Sequence, residues 1–139
     1  MRDLRPGQIR SRGRDEHRAR YAAYITSAAW FRRRTRWVEE EAARVAPSPV
    51  FCLGGCGRRW AVSRDDLHHC SYDRLGDELH ADLWAMCRSC HDQIHALMDS
   101  TKSWRKLPLR LRNEQALAVI RARAAAPPDP AARTAADYL

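Results

Sequence analysis

The chain has 139 residues, a mass of 16.0 kDa, a formal net charge of +8 and a sequence pI near 9.8. That length leaves room for one domain with a thin core, and "MRDLRPGQIRSRGRDEHR" is too charged for a secretory leader. No apolar run is long enough to span a bilayer, so no membrane partner is expected, and five cysteines in an expected cytoplasmic setting are reduced and free to bind metal.

The charge is concentrated at the two ends. From Met1 to Pro49 twelve arginines stand against six acidic residues, from Val50 to Leu97 five basic against seven acidic, and from Met98 onward eight basic against four acidic. Cationic arms around a slightly acidic centre suit a phosphate polymer, although a solvated arginine-rich surface produces the same count.

Residues 1–14 carry Pro6, Gly7 and Gly13 without apolar periodicity and are expected to be a flexible basic N-terminus. Residues 15–49 form a helical arm in which Tyr21, Tyr24 and Ile25 make a short stripe and Ser27 caps a second helix ending near Val45. On that helix Trp30, Trp37 and Ala42 are assigned to the core, while Arg32, Arg33, Arg34 and Arg36 are assigned outward positions where they can meet a nucleic acid. Pro47 and Pro49 stop the helix.

Residues 50–100 hold the chemistry. "CLGGCGRRWAVSRDD" reads as a loop whose glycines permit a metal knuckle, Leu67–Tyr72 and Leu83–Met86 as short strands, and a helix begins near Arg88. Residues 101–126 form a basic helical segment with Leu109, Leu117, Val119 and Ile120 available for docking, and the proline- and alanine-rich 127–139 is expected to be a disordered tail.

Cys52-x3-Cys56 and Cys87-x2-Cys90 are two short-spaced pairs, the pattern by which two knuckles close one tetrahedral site of four thiolates, and such a donor set selects structural Zn²⁺. Cys70 is left over as a small buried hydrophobe, and His80 as an exposed loop residue. His91 and His95 lie four apart on the helix that Cys87 and Cys90 anchor, so their imidazoles share one face. His68 and His69 are adjacent on a strand and point to opposite faces: one can complete a three-histidine site, leaving the other without metal and available as a base.

Taken together, "DLHHCSYDRLGDELHADLWAMCRSCHDQIH", Asp66 to His95, resembles the HNH endonucleases, in particular the branch with an added four-cysteine zinc site that reads CxxC, LHHxxY, LGxE, (N/D)LxxLCxxCHxxIH. The resemblance runs from Cys52 to about Leu97, with the first cysteine pair one residue wider than the general form, and "YITSAAWFRRR" resembles the helical lead-in of that branch. It implies an α+β fold with a small ββα-metal, treble-clef-like core and a zinc knuckle, flanked by N-terminal and C-terminal helices. It implies hydrolysis of phosphodiesters in double-stranded DNA, by nicking or double-strand cleavage, with His68, His91 and His95 holding one catalytic divalent ion (Mg²⁺, Mn²⁺, Ni²⁺ or Zn²⁺) and His69 as general base. Asp82 stands where the family has asparagine; aspartate still accepts hydrogen bonds but cannot donate as the amide does. Arg74 and Arg88 are the nearest cations in sequence and are expected to neutralise phosphate, as are Arg32, Arg33 and Arg34. The resemblance also implies a phage or mobile-element setting, with packaging or restriction partners. The alternative is a non-catalytic zinc-stabilised module that binds DNA or a protein. RNA is the less expected substrate, since no aromatic stacking platform is evident.

Overall fold

The computed structural model describes residues 6–127, with side chains from Arg12 onward. Residues 1–5 of the expected flexible N-terminus and residues 128–139 of the expected tail lie outside them. The described chain is α+β, with five helices and one two-stranded antiparallel sheet: α1 (Pro6–Ile25), α2 (Ala28–Val45), β1 (Asp66–His69), a 3₁₀ turn at His80–Asp82, β2 (Leu83–Met86), α3 (Arg88–Asp99), α4 (Lys102–Lys106) and α5 (Leu109–Ala125). Helix α1 starts at Pro6 rather than near Asp15. Proline is favoured at a first helical position because its missing N–H has no intrahelical partner there anyway, and the interior Gly7 and Gly13 only tax the helix. β1 stops at His69 and does not reach Tyr72.

The described chain forms two compact units. Among the described residues, one joins 6–49 with 71–83 and the other joins 50–70 with 84–127, so the segment between the two strands groups with the N-terminal helices.

In the first unit, the Ser27 hydroxyl accepts from the Trp30 amide at 3.2 Å and donates to the Tyr24 carbonyl at 2.6 Å, which ends α1 and starts α2. The buried stripe of α2 is Trp30, Arg33, Trp37 and Glu41, spaced for one helical face, while Ala42 is exposed. Arg33 therefore corrects the expected outward arginine row. It is 6 % exposed, and its Nε donates to the Glu78 carbonyl at 3.1 Å while its guanidinium faces Glu40 at 3.5 Å. His80 is likewise no bare loop residue. It stacks on Trp37 with ring centroids 4.9 Å apart, and its nitrogens meet Glu40 at 2.8 Å and Glu41 at 2.6 Å.

In the second unit the core consists of Met86, Ile94, Met98, Ala116 and Ile120 around Cys52, Cys87 and Cys90, with Leu97, Trp104 and Leu117 packed against it. Complete burial of a side chain such as Ile94 contributes about 1.5–3 kcal/mol. Helix α3 supplies Ile94 and Met98 four apart, and α5 supplies Asn113, Ala116 and Ile120, a narrower stripe than Leu109, Leu117, Val119 and Ile120. The Leu53 amide bonds the Ala85 carbonyl at 2.8 Å, and the Leu53 carbonyl accepts from Arg121 Nε at 2.9 Å, so the first knuckle is tied to both β2 and α5.

Candidate metal centres

The first centre is built by two turns. The loop after Phe51 closes through an antiparallel bridge from Phe51 to Arg59, and Cys87 caps α3, its sulfur accepting from the Cys90 amide at 3.5 Å. The sulfurs of Cys52, Cys56, Cys87 and Cys90 lie within 4.8 Å of one another. Cys56 and Cys87 are 3.8 Å apart sulfur to sulfur, against an edge of about 3.8 Å for a tetrahedron with zinc–sulfur bonds near 2.3 Å. Amides of Gly54 and Cys87 donate to the Cys52 sulfur at 3.4 and 3.2 Å. Gly54 must be glycine, because a Cβ there would stand 2.6 Å from the Cys90 sulfur. Burial pushes the Cys52 thiol up to about 11 and the Cys90 thiol up as well, whereas at Cys56 burial is outweighed by hydrogen bonds from the Arg58 backbone and the neighbouring thiols, which lower the thiol, so a cation is needed most for Cys52 and Cys90 to ionise. The cluster could hold a structural zinc ion. Cys70, fully buried, is not part of it.

The second centre joins β1 to α3. One ring nitrogen from each of His68, His91 and His95 lies within 4.8 Å of the others. His91 Nδ1 donates to Asp66 Oδ2 at 2.9 Å, and the other Asp66 oxygen meets Arg88 at 3.2 Å. In the neutral imidazole that arrangement puts the lone pair on His91 Nε2, 3.0 Å from His95 Nε2. Two neutral imidazole nitrogens at that distance repel unless one carries a proton or both point at one cation; ligands about 2.1 Å from an ion stand roughly 3.0–3.4 Å apart. Burial holds His68 down at about 3, and burial with the neighbouring His91 lowers His95, which keeps both in the neutral form that metal ligation needs. The donor set fits a divalent ion, and the buried imidazole chemistry suits a transition metal.

The remaining candidate residues fall into three groups. His69 is 3 % exposed and stands outside the three-histidine cluster, as adjacent strand residues require. Asp82 is 1 % exposed and belongs to the first unit, where its carboxylate holds Arg74 through two hydrogen bonds and accepts from the Leu79 amide at 3.0 Å. Arg74 thus neutralises Asp82, and the charge of that carboxylate is compensated within its own loop. Arg88 is exposed and paired with Asp66, and Arg32 is exposed on α2.

Two residues of the second centre escaped the sequence reading. Asp66 sits two positions before His68, the strand period that puts both side chains on one face. Asn113 is fully buried in α5, beside His68, and its only signal in the sequence is a lone amide in an otherwise apolar helical stripe.

No protein-family model, no curated protein and no solved structure matches this chain. Among the described residues, no helix is long and apolar enough to cross a membrane.

Proposed function

We propose that the chain is a metal-dependent endonuclease of the HNH type that hydrolyses phosphodiester bonds in duplex DNA. The observation that carries this reading is that one ring nitrogen from each of His68, His91 and His95 lies within 4.8 Å of the others, on a strand and on the helix whose start also carries two members of a separate four-cysteine cluster. A structural zinc site has no need of a second donor set of a different kind beside it. Three neutral imidazoles leave coordination positions open, as a catalytic site requires and a closed four-thiolate site does not.

In this reading Cys52, Cys56, Cys87 and Cys90 bind structural Zn²⁺, and His68, His91 and His95 hold one divalent ion, Mg²⁺, Mn²⁺, Ni²⁺ or Zn²⁺. When bound, that ion supplies Lewis-acid stabilisation of phosphate charge and of the departing oxygen. His69, on the opposite face of β1 from His68, accepts the proton of the attacking water at a ring nitrogen, a task suited to imidazole near neutral pH. Asp66 orients His91, and Asp82 with Arg74 orders its own loop. Exposed arginines, Arg32 among them, follow the phosphate backbone and make binding weaken with salt.

The burial of His69 favours a second reading, a non-catalytic zinc-stabilised module that binds DNA or a protein, since a general base must reach water. One experiment separates the two. Supercoiled plasmid is incubated with protein whose second site has been stripped and reloaded with each metal in turn, using wild type, His69→Ala and His95→Ala. Metal-dependent nicked or linear product from the wild type alone supports the nuclease, and DNA binding without cleavage by any of the three supports the module.

A further inference from the structure

Asn113 is the one fully buried polar side chain of α5, and all of its polar atoms are engaged. Its Nδ2 donates to the Cys70 carbonyl at 3.3 Å and to the Leu109 carbonyl at 3.0 Å, and its Oδ1 lies 2.5 Å from His68 Nε2. These contacts decide which way the amide points. Turning it over would set its oxygen against two carbonyl oxygens, which only accept. The oxygen must therefore face His68, and because an amide oxygen also only accepts, His68 Nε2 must carry the proton. A neutral imidazole has one N–H, so the lone pair of His68 resides on Nδ1.

From this we infer that Asn113 is a positioning residue of the three-histidine centre: it holds His68 in the Nε2–H form with Nδ1 presented to a divalent cation, which makes α5 part of the metal site although it lies beyond the motif that contains the ligands. The inference rests on the reading of His68, His91 and His95 as a metal site. It adds a geometric consequence. His91, held by Asp66 at Nδ1, offers Nε2, whereas His68, held by Asn113 at Nε2, offers Nδ1, so the two ligands use opposite ring nitrogens. Each has its second nitrogen anchored to an oxygen, the arrangement that fixes ring orientation in metal-binding histidines and whose loss typically weakens binding about 10- to 100-fold. Asn113 also spans from the ring of His68 to the carbonyl of Cys70, two residues on, so it fixes both the side chain and the end of the strand that bears it.

Two measurements on the full chain with its cysteine cluster loaded test this. Long-range proton–nitrogen NMR correlations of the histidine rings, with the second centre free of metal, report the tautomer of His68 in the wild type without any substitution. The Nε2–H form is expected, and the Nδ1–H form would overturn the inference. Calorimetric titration with Mn²⁺ or Ni²⁺ alone then compares wild type, Asn113→Leu, Asn113→Asp and His95→Ala, each checked for an unchanged wild-type-like fold by its NMR spectrum. Asn113→Leu is expected to lose about 10- to 100-fold in affinity and Asn113→Asp, which keeps an acceptor for His68, to lose less. Wild-type affinity in Asn113→Leu, with binding lost in His95→Ala, would overturn the role of Asn113 and leave the metal site standing. Equal affinity, or none, in wild type and His95→Ala would overturn the metal site and this inference with it.

Discussion

Asp66 and His91 meet at 2.9 Å across the gap between β1 and α3, and this contact turns His91 Nε2 toward His95. The same carboxylate holds Arg88 in the first turn of α3, so one side chain fixes a candidate ligand and the helix that carries it. Asp66→Ala is expected to lower Mn²⁺ affinity at the second centre about 10- to 100-fold, and Asp66→Asn, which retains an acceptor oxygen, to lower it less. Calorimetry decides, and equal affinity in wild type and Asp66→Ala would count against an orienting role.

The cysteine cluster leaves no room for a side chain at Gly54. Gly54→Ala places a methyl 2.6 Å from the Cys90 sulfur and 2.8 Å from its Cβ, in a knuckle tied to β2 on one side and α5 on the other. Zinc retention against a competing chelator is expected to fall, with the loss of zinc unfolding the second unit, since structural zinc contributes on the order of 10 kcal/mol or more. Gly13→Ala is the contrasting control. Its Cβ meets nothing within 4 Å, and alanine in the helix interior is expected to raise stability by about 0.5–1 kcal/mol, read as a shift in the thermal midpoint.

Neighbouring arginines on α2 are expected to behave differently. Arg33→Ala removes a buried guanidinium from the Glu78 carbonyl and from Glu40, and is expected to cost about 1–3 kcal/mol in urea unfolding. Arg32→Ala, on the exposed face, is expected to leave stability unchanged and, under the proposed nuclease function, to weaken DNA binding with a smaller salt dependence. An equal effect of both on stability would contradict the buried stripe.

Alkaline pH isolates Tyr24. Burial, together with the hydrogen bond it donates to Glu78 Oε2 at 2.8 Å, raises its phenol well above the ordinary value of 10.0, and burial raises Tyr72 too. A group whose folded pKa is raised contributes stability that is complete below its unfolded pKa and is lost as pH rises toward the folded one. Ultraviolet titration of phenolate formation is therefore expected to show Tyr24 and Tyr72 ionising late, with stability declining above about pH 10. Tyr24→Phe is expected to remove one late-ionising group and to reduce the decline; a Tyr24 that ionises at its ordinary value in the folded protein would refute the half-buried contact with Glu78.

Much of this organisation was legible in the chain because it is local. Ser27 as a cap, Leu83–Met86 as a strand, Arg88 as the start of α3 and the two cysteine pairs all follow from short-range spacing, since caps, strand alternation and knuckles depend on residues within a turn or two. The i, i+4 spacing of His91 and His95 placed two imidazoles on one face for the same reason.

Tertiary packing decided what spacing could not. Arg33 and Arg32 are adjacent arginines of identical propensity, and Arg33 can stand on the buried face of α2 because the Glu78 carbonyl and Glu40 meet its guanidinium there. Composition could not show that Asp82 would be neutralised by Arg74, because the charge of a carboxylate in a loop depends on what folds back against it. Asn113 lies 45 residues from His68 in sequence, and the lone amide in the buried stripe of its helix does not say which residue it meets. The residue types able to hold a metal were therefore written into the sequence, whereas the ring nitrogen that His68 and His91 present was decided by the fold, because a hydrogen bond to a distant oxygen is what selects between two tautomers of nearly equal energy.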